Sequence, residues 1–85
     1  MDVIRTTDFE KQLKSLPKIA LGLYQTQEKR FRENTRDPRL HLKKLEGMDG
    51  VFSFRITRVY RALLYFKTPG SAVFFSIGHR KDIYR

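Results

Sequence analysis

The chain has 85 residues and no cysteine, and its 18 Lys and Arg against nine Asp and Glu give a net charge of +9. That length predicts one domain, residues 1–85, with a core small enough that a partner is expected to share its stabilisation. The missing cysteines exclude disulfides, thiolate nucleophiles and Cys-ligated zinc.

Charge is uneven along the chain. Residues 1–50 hold eleven bases and eight acids, and residues 51–85 hold seven bases and one acid. A basic surface of this kind attracts polyanions, so nucleic acid or an acidic protein is the expected partner class. No apolar stretch is long enough to span a bilayer, so no membrane role is expected. The opening "MDVIRTTDFE" carries acids and polar residues where a secretory signal needs an apolar run. A cytoplasmic setting is the expectation.

Val3–Arg5 reads as a short strand. In "TDFE", Thr7 stands three residues before Glu10, the spacing of a capping box, and Phe9, Leu13 and Leu16 follow at helical intervals. Pro17 suits the first turn of a second helix. Ile19, Ala20, Leu23, Tyr24 and Phe31 then give an amphipathic helix of about four turns, which "NTRDP" ends. Leu40, Leu42 and Leu45 come next in "LHLKKLEGMDG", and Gly47 and Gly50 mark a turn. The remainder changes character. "VFSFRITRVYRALLYFK" and "SAVFFSIG" have strand composition, joined by "TPGS". The order of one short strand, two helices and three strands in a meander predicts an α+β fold, with helices on one face of an antiparallel sheet.

The first hairpin has two candidate registers. A loop of Thr57-Arg58 mixes apolar and polar residues on both faces. A loop of Thr57-Arg58-Val59 places Phe52, Phe54 and Ile56 with Tyr60, Ala62, Leu64 and Phe66, and Ser53, Arg55, Arg61, Leu63 and Tyr65 on the other side. Register follows the buried face, which selects the second. Arg55 then stands opposite Arg61, a destabilising pair unless an anion sits between them. The third strand is expected to bring His79 and Arg80 close to that pair, with Tyr84 following. Guanidiniums that bind phosphoryl oxygens, beside groups that move protons, meet the needs of RNA cleavage by the ribose 2′-OH. No metal and no cofactor is expected: His41 and His79 are far apart in sequence, and residues 51–85 hold the single acid Asp82.

Each residue also has a plainer reading. Arg55 and Arg61 read as solvent-facing strand charges, Lys43 and Lys44 as a solvated basic run, and His79 as a surface histidine at a strand end. Tyr84 reads as a C-terminal anchor and His41 as a structural or surface residue. Phe74 and Phe75 read as core or sheet-face residues, and Tyr60 and Tyr65 as core packing ahead of base stacking.

"LHLKKLEG", "FSFRITRVYRALLYF" and "FFSIGHRKDIYR" together resemble the RelE/ParE superfamily of toxins from type II toxin-antitoxin systems, in the RelE-like mRNA interferase branch. The resemblance implies two antiparallel helices packed on a curved antiparallel meander sheet. It also implies a cognate antitoxin, a toxin-antitoxin hetero-oligomer, and metal-independent endoribonuclease action on mRNA in the ribosomal A site that leaves a 2′,3′-cyclic phosphate. On that resemblance Arg61, Arg80, Tyr84 and His79 are the catalytic candidates. Arg55, Lys43, Lys44, Arg58 and Lys81 are the candidates for RNA or phosphate binding. Ser53 departs from the pattern, because well-studied members carry a lysine there that is proposed to help proton transfer. Two other readings stand beside this one: a ParE-like inhibitor of DNA gyrase, and a non-catalytic basic RNA-binding domain.

Overall fold

The computed structural model describes residues 1–83. The chain opens with strand β1, Asp2–Arg5. The Thr6 amide donates to the Phe74 carbonyl at 3.1 Å, which continues the strand pairing and keeps Thr6 extended at φ −69° and ψ 162°. Its hydroxyl therefore meets the open amides of the next helix first, and Oγ1 accepts from the Phe9 N–H at 3.1 Å. The helix cap is Thr6, one residue earlier than the Thr7–Glu10 spacing predicts. Glu10 pairs with Arg5 at 2.7 Å instead. Helix α1, Thr7–Lys14, buries Phe9 and Leu13.

Pro17 precedes helix α2, Lys18–Glu33, whose buried residues are Ala20, Tyr24, Gln27 and Phe31. Their spacing of four, three and four draws one narrow stripe. Ile19 and Leu23 lie one residue to the side of it and are 81% and 44% exposed. The apolar face read from the sequence is thus too wide at Ile19 and Leu23, and it passes over Gln27. The Gln27 amide nitrogen donates to the carbonyls of Arg39 at 2.9 Å and Arg55 at 2.6 Å, and its oxygen accepts from Arg30 Nη1 at 2.9 Å.

Tyr24 donates to Glu28 Oε1, which also receives Arg5 Nη1, while Glu28 Oε2 receives Arg32 Nε. Burial, then the bond to Glu28, raises the Tyr24 pKa far above its ordinary value. Burial alone would raise Glu28, but the bonds from Tyr24 and Arg32 and the charge of Arg5 outweigh it and hold its carboxyl below the usual range.

Beyond α2, Asp37 Oδ1 accepts from the Arg39 N–H at 2.9 Å and opens a 3₁₀ turn over Pro38–Leu40. The Arg39 side chain grips the same carboxylate at 2.8 Å. These side-chain and backbone bonds from Arg39 pull the Asp37 pKa down to about 2. A depressed carboxylate contributes stability that is full above its unfolded value of about 4 and is lost as pH falls through its folded value. The turn is therefore expected to loosen between about pH 4 and pH 2. A carboxylate NMR titration of Asp37 checks this, and a midpoint near 4 contradicts it.

His41 ends the turn with φ 49°, in the left-handed region. A β-branched side chain there is costly. His41→Val is expected to be about 1–2 kcal/mol less stable than His41→Gly in urea unfolding, and equal midpoints for the two variants argue against this strain.

The remaining elements are β2 Lys43–Lys44, β3 Val51–Arg55, β4 Tyr60–Thr68, β5 Ser71–His79 and a helical turn α3, Arg80–Ile83. The sheet order is β1-β5-β4-β3-β2. The meander β3-β4-β5 is antiparallel as the sequence predicts. β1 runs parallel to β5, from Asp2 beside Ser71 to Arg5 beside Phe74, so the sheet is mixed where an antiparallel one is expected. Parallel neighbours need a long connection, and the helices and the meander supply it. The two-residue β2 and the turn α3 add elements absent from the sequence reading.

The core lies between the helices and one sheet face. Phe31 reaches the rings of Phe74 at 5.1 Å and Phe54 at 5.7 Å, and Phe9 meets Phe74 at 5.7 Å. The bulge between Leu63/Leu64 on β4 leaves Phe75 as an extra residue on β5, which bends the strand locally.

Candidate nucleic-acid interface

The β3–β4 register pairs Phe54 with Ala62, Ser53 with Leu63, and Arg55 with Arg61. Ile56 N–H donates to the Tyr60 carbonyl at 2.9 Å, which closes a loop of Thr57-Arg58-Val59. This is the register that burial of Phe54 and Ala62 selects. Paired strand residues share a face, so Arg55 and Arg61 stand together on the side away from the helices. Arg61 Nη1 donates to the carbonyls of Thr57 at 2.7 Å, Arg58 at 3.1 Å and Tyr60 at 3.2 Å, and these loop oxygens orient the guanidinium.

The neighbouring strands extend the same face. Lys43 pairs with Ser53, Leu63 with Ser76, and Arg61 with Gly78. Lys43, Arg55 and Arg61 thus adjoin Ser53, Leu63, Ser76 and Gly78 on this face. Ser53 and Leu63 are buried even though they face away from the helices. Ser53 Oγ and Arg55 Nε are buried with no hydrogen-bond partner among the described residues. Lys44 pairs with Phe52 and so points to the other face.

His79 departs from expectation. It pairs with Tyr60, and its ring stands 5.8 Å from that phenol. Tyr60 belongs to the helix-side face, so His79 does not join Arg55 and Arg61 on theirs. It lines a cleft of about 250 Å³ with Gln12, Ser15 and Asp82. His79 Nδ1 accepts the Lys81 N–H at 3.1 Å, so the neutral ring carries its proton on Nε2. The residues that follow return toward the arginine face. The Arg80 N–H donates to the Val59 carbonyl at 2.7 Å, holding α3 against the hairpin loop. A Cβ on Gly78 would stand 3.1 Å from Ile83 Cγ2, so the absence of a side chain at Gly78 lets Ile83 seat there. The side chains of Arg80, Lys81 and Arg58 are exposed. Tyr84 lies outside the described residues.

The larger concavity, about 470 Å³ between Thr35, Pro38, His41, Phe52 and Phe66, contains none of the catalytic candidates. Tyr65 is also not the core residue that its sequence context suggests. It is 42% exposed and touches Phe75 at 6.0 Å on the arginine side of the sheet. Gln27 gained its place only in three dimensions. The one sequence signal for Gln27 is a polar residue at a stripe position.

No protein-family model matches the sequence, and no curated protein matches it. Solved structures do match. The RelB-RelE antitoxin-toxin complex of Methanococcus jannaschii superposes with a TM-score of 0.78 at 22% identity, over 95% of this chain and 94% of that one. YafQ from E. coli strain BL21(DE3) gives 0.81 at 13% identity over 99% and 98%. The RelBE2 toxin-antitoxin complex of Mycobacterium tuberculosis gives 0.67 at 28% identity over 93% and 96%. The chain has the α+β fold of the RelE/ParE superfamily toxins. Among the described residues no helix is long and apolar enough to cross a membrane.

Proposed function

We propose that the chain, as a single domain of residues 1–85, is the toxin of a type II toxin-antitoxin system and a ribosome-dependent mRNA endoribonuclease of the cytoplasm. The observation that carries this reading is the opposed pair Arg55 and Arg61 on the sheet face away from the helices. Like charges held directly across a strand pair are stabilised by an anion between them. The likeness to toxins solved with their antitoxins supports a cognate antitoxin as partner and a hetero-oligomer as the neutralised form.

The reaction that fits is transesterification. The ribose 2′ oxygen forms a bond to phosphorus and the bond from phosphorus to the 5′ oxygen breaks. The products are a 2′,3′-cyclic phosphate and a 5′-hydroxyl. Arg61 and Arg80 bind the phosphoryl oxygens, where charge grows in the transition state, and Arg55 supports them. Lys43, Arg58 and Lys81 add positive potential for the RNA backbone, whereas Lys44 faces the other side of the sheet. His79 faces the helix side with Tyr60 and so takes no part at the phosphate, and the leaving 5′ oxygen draws its proton from solvent water. Acceptance of the 2′ proton then falls to Tyr84, a phenol with an ordinary pKa of about 10, a value that any nearby cation lowers. The A site supplies substrate orientation, so modest side-chain chemistry suffices.

Primer extension on ribosome-bound mRNA tests this. Cuts at fixed codon positions that disappear with Arg61→Ala and with Arg80→Ala are the expected result. Intact mRNA with DNA damage in cells transfers the fold to gyrase inhibition, and neither effect leaves a basic RNA-binding domain.

A further inference from the structure

His79 ends β5 and stands immediately before the helical turn α3, Arg80–Ile83. The first amides of a helical turn have no carbonyl of their own to meet. The Lys81 N–H is one of them, and His79 Nδ1 accepts it at 3.1 Å. The imidazole thus fills the place that Asn, Asp, Ser or Thr usually takes at a helix start. Tyr60 fixes the ring from one side, at 5.8 Å and 74°. The Arg80 N–H goes to the Val59 carbonyl at 2.7 Å. Ile83 closes the far end of the turn over Gly78, where a Cβ would stand 3.1 Å from its Cγ2.

These contacts meet at one loop. The Val59 carbonyl accepts from the Arg80 backbone, and the carbonyls of Thr57, Arg58 and Tyr60 accept from Arg61 Nη1. The same hairpin loop therefore holds the backbone of Arg80 and orients the guanidinium of Arg61. Whatever keeps α3 formed against that loop bears on both arginines.

We propose that His79 is a positioning residue for the cleavage described above: its imidazole caps α3 through Nδ1 and holds Arg80 at the loop that orients Arg61, without touching RNA. The assignment rests on the nuclease reading for its reaction. A proton on Nδ1 removes the acceptor and sets a positive charge beside open amides, so the cap belongs to the neutral ring. In the cleft that His79 lines, the other ionisable groups are Tyr60 on β4 and Asp82 on α3. Helix α1 contributes Gln12, Ser15 and Leu16 there, none of them charged. The cations beside it in sequence, Arg80 and Lys81, are exposed.

Two amide variants separate the two ring nitrogens. The Oδ1 of Asn sits one bond beyond Cγ, as Nδ1 does, whereas the Oε1 of Gln reaches toward the place of Nε2. Hydrogen exchange at the Lys81 amide, followed by NMR in the purified full chain, reads the cap without a ribosome. Protection is expected to fall about fivefold in His79→Ala, to return in His79→Asn and to stay lost in His79→Gln. In the wild-type chain, loss of protection on acidification should track the titration of the His79 ring protons. That acid loss should be absent in His79→Asn. Cleavage of ribosome-bound mRNA is expected to keep the same order, about fivefold slower with alanine and glutamine and within about twofold of wild type with asparagine.

A Lys81 amide without protection in the wild-type chain, equal protection in His79→Ala, or a glutamine variant that matches asparagine each overturns the cap. Asparagine that restores protection but not cleavage overturns the positioning role. Cleavage unchanged in all three variants does the same and leaves the nuclease standing. Protection in the expected order with no cleavage by the wild-type chain removes the nuclease while the cap stands.

Discussion

Arg61→Ala is expected to slow mRNA cleavage by two to three orders of magnitude, about 3–4 kcal/mol of barrier, the typical loss for one preorganised donor to a developing oxyanion. The same substitution removes the Nη1 bonds to the Thr57, Arg58 and Tyr60 carbonyls. A fall in activity alone would therefore not separate binding of phosphate from support of the hairpin loop. Arg61→Lys makes the separation. It keeps a cation and a donor within reach of the loop oxygens but loses the planar fork that grips two phosphoryl oxygens. The expected pattern is near wild-type stability in urea with most of the activity lost. Recovery of full activity in the lysine variant would limit Arg61 to point-charge attraction and take it out of oriented transition-state binding.

Gln27→Leu is expected to lower the unfolding free energy by about 3 kcal/mol, from two carbonyls that lose their donor at about 1–3 kcal/mol each. Leucine fills a similar volume, so a cavity contributes little. The Gln27 amide ties α2 to the Arg39 carbonyl of the 3₁₀ turn and to the Arg55 carbonyl at the end of β3. Loss of the second bond loosens the strand end that carries Arg55, so RNA affinity should fall along with stability. Gln27→Glu is expected to rescue little at neutral pH, because it turns a carboxylate oxygen toward two carbonyl oxygens. Urea denaturation reads the first effect and RNA binding the second. A leucine variant as stable as wild type would show that the amide is dispensable to the junction.

The arginine pair was legible because a hairpin has few registers and burial of Phe54 and Ala62 picks one of them. Arg55 opposite Arg61 follows from that choice. The face of His79 was not legible. Phe74 and Ile77 are both buried, three residues apart, and a strand with an even alternation cannot bury both on one side. Counted from Phe74, His79 would share the arginine face; counted from Ile77, it faces the helices. The extra residue Phe75 at the bulge resolves the phase in favour of Ile77, and a bulge is set by pairing with the partner strand.

The stripe on α2 shows the same division. Helical period revealed an amphipathic helix, but the width of its buried face depends on what lies beneath it. Ile19 is exposed and Gln27 is buried because the sheet meets the helix along one line. Composition and spacing by themselves determined the basic character, the element types, the hairpin register and the opposed arginines, since charge and local periodicity act within a few residues. Tertiary structure alone decided that Lys43 meets Ser53, that His79 turns from the arginines, and that Gln27 anchors β3. Those outcomes depend on contacts between segments ten to twenty-eight residues apart, and local spacing carries no record of them.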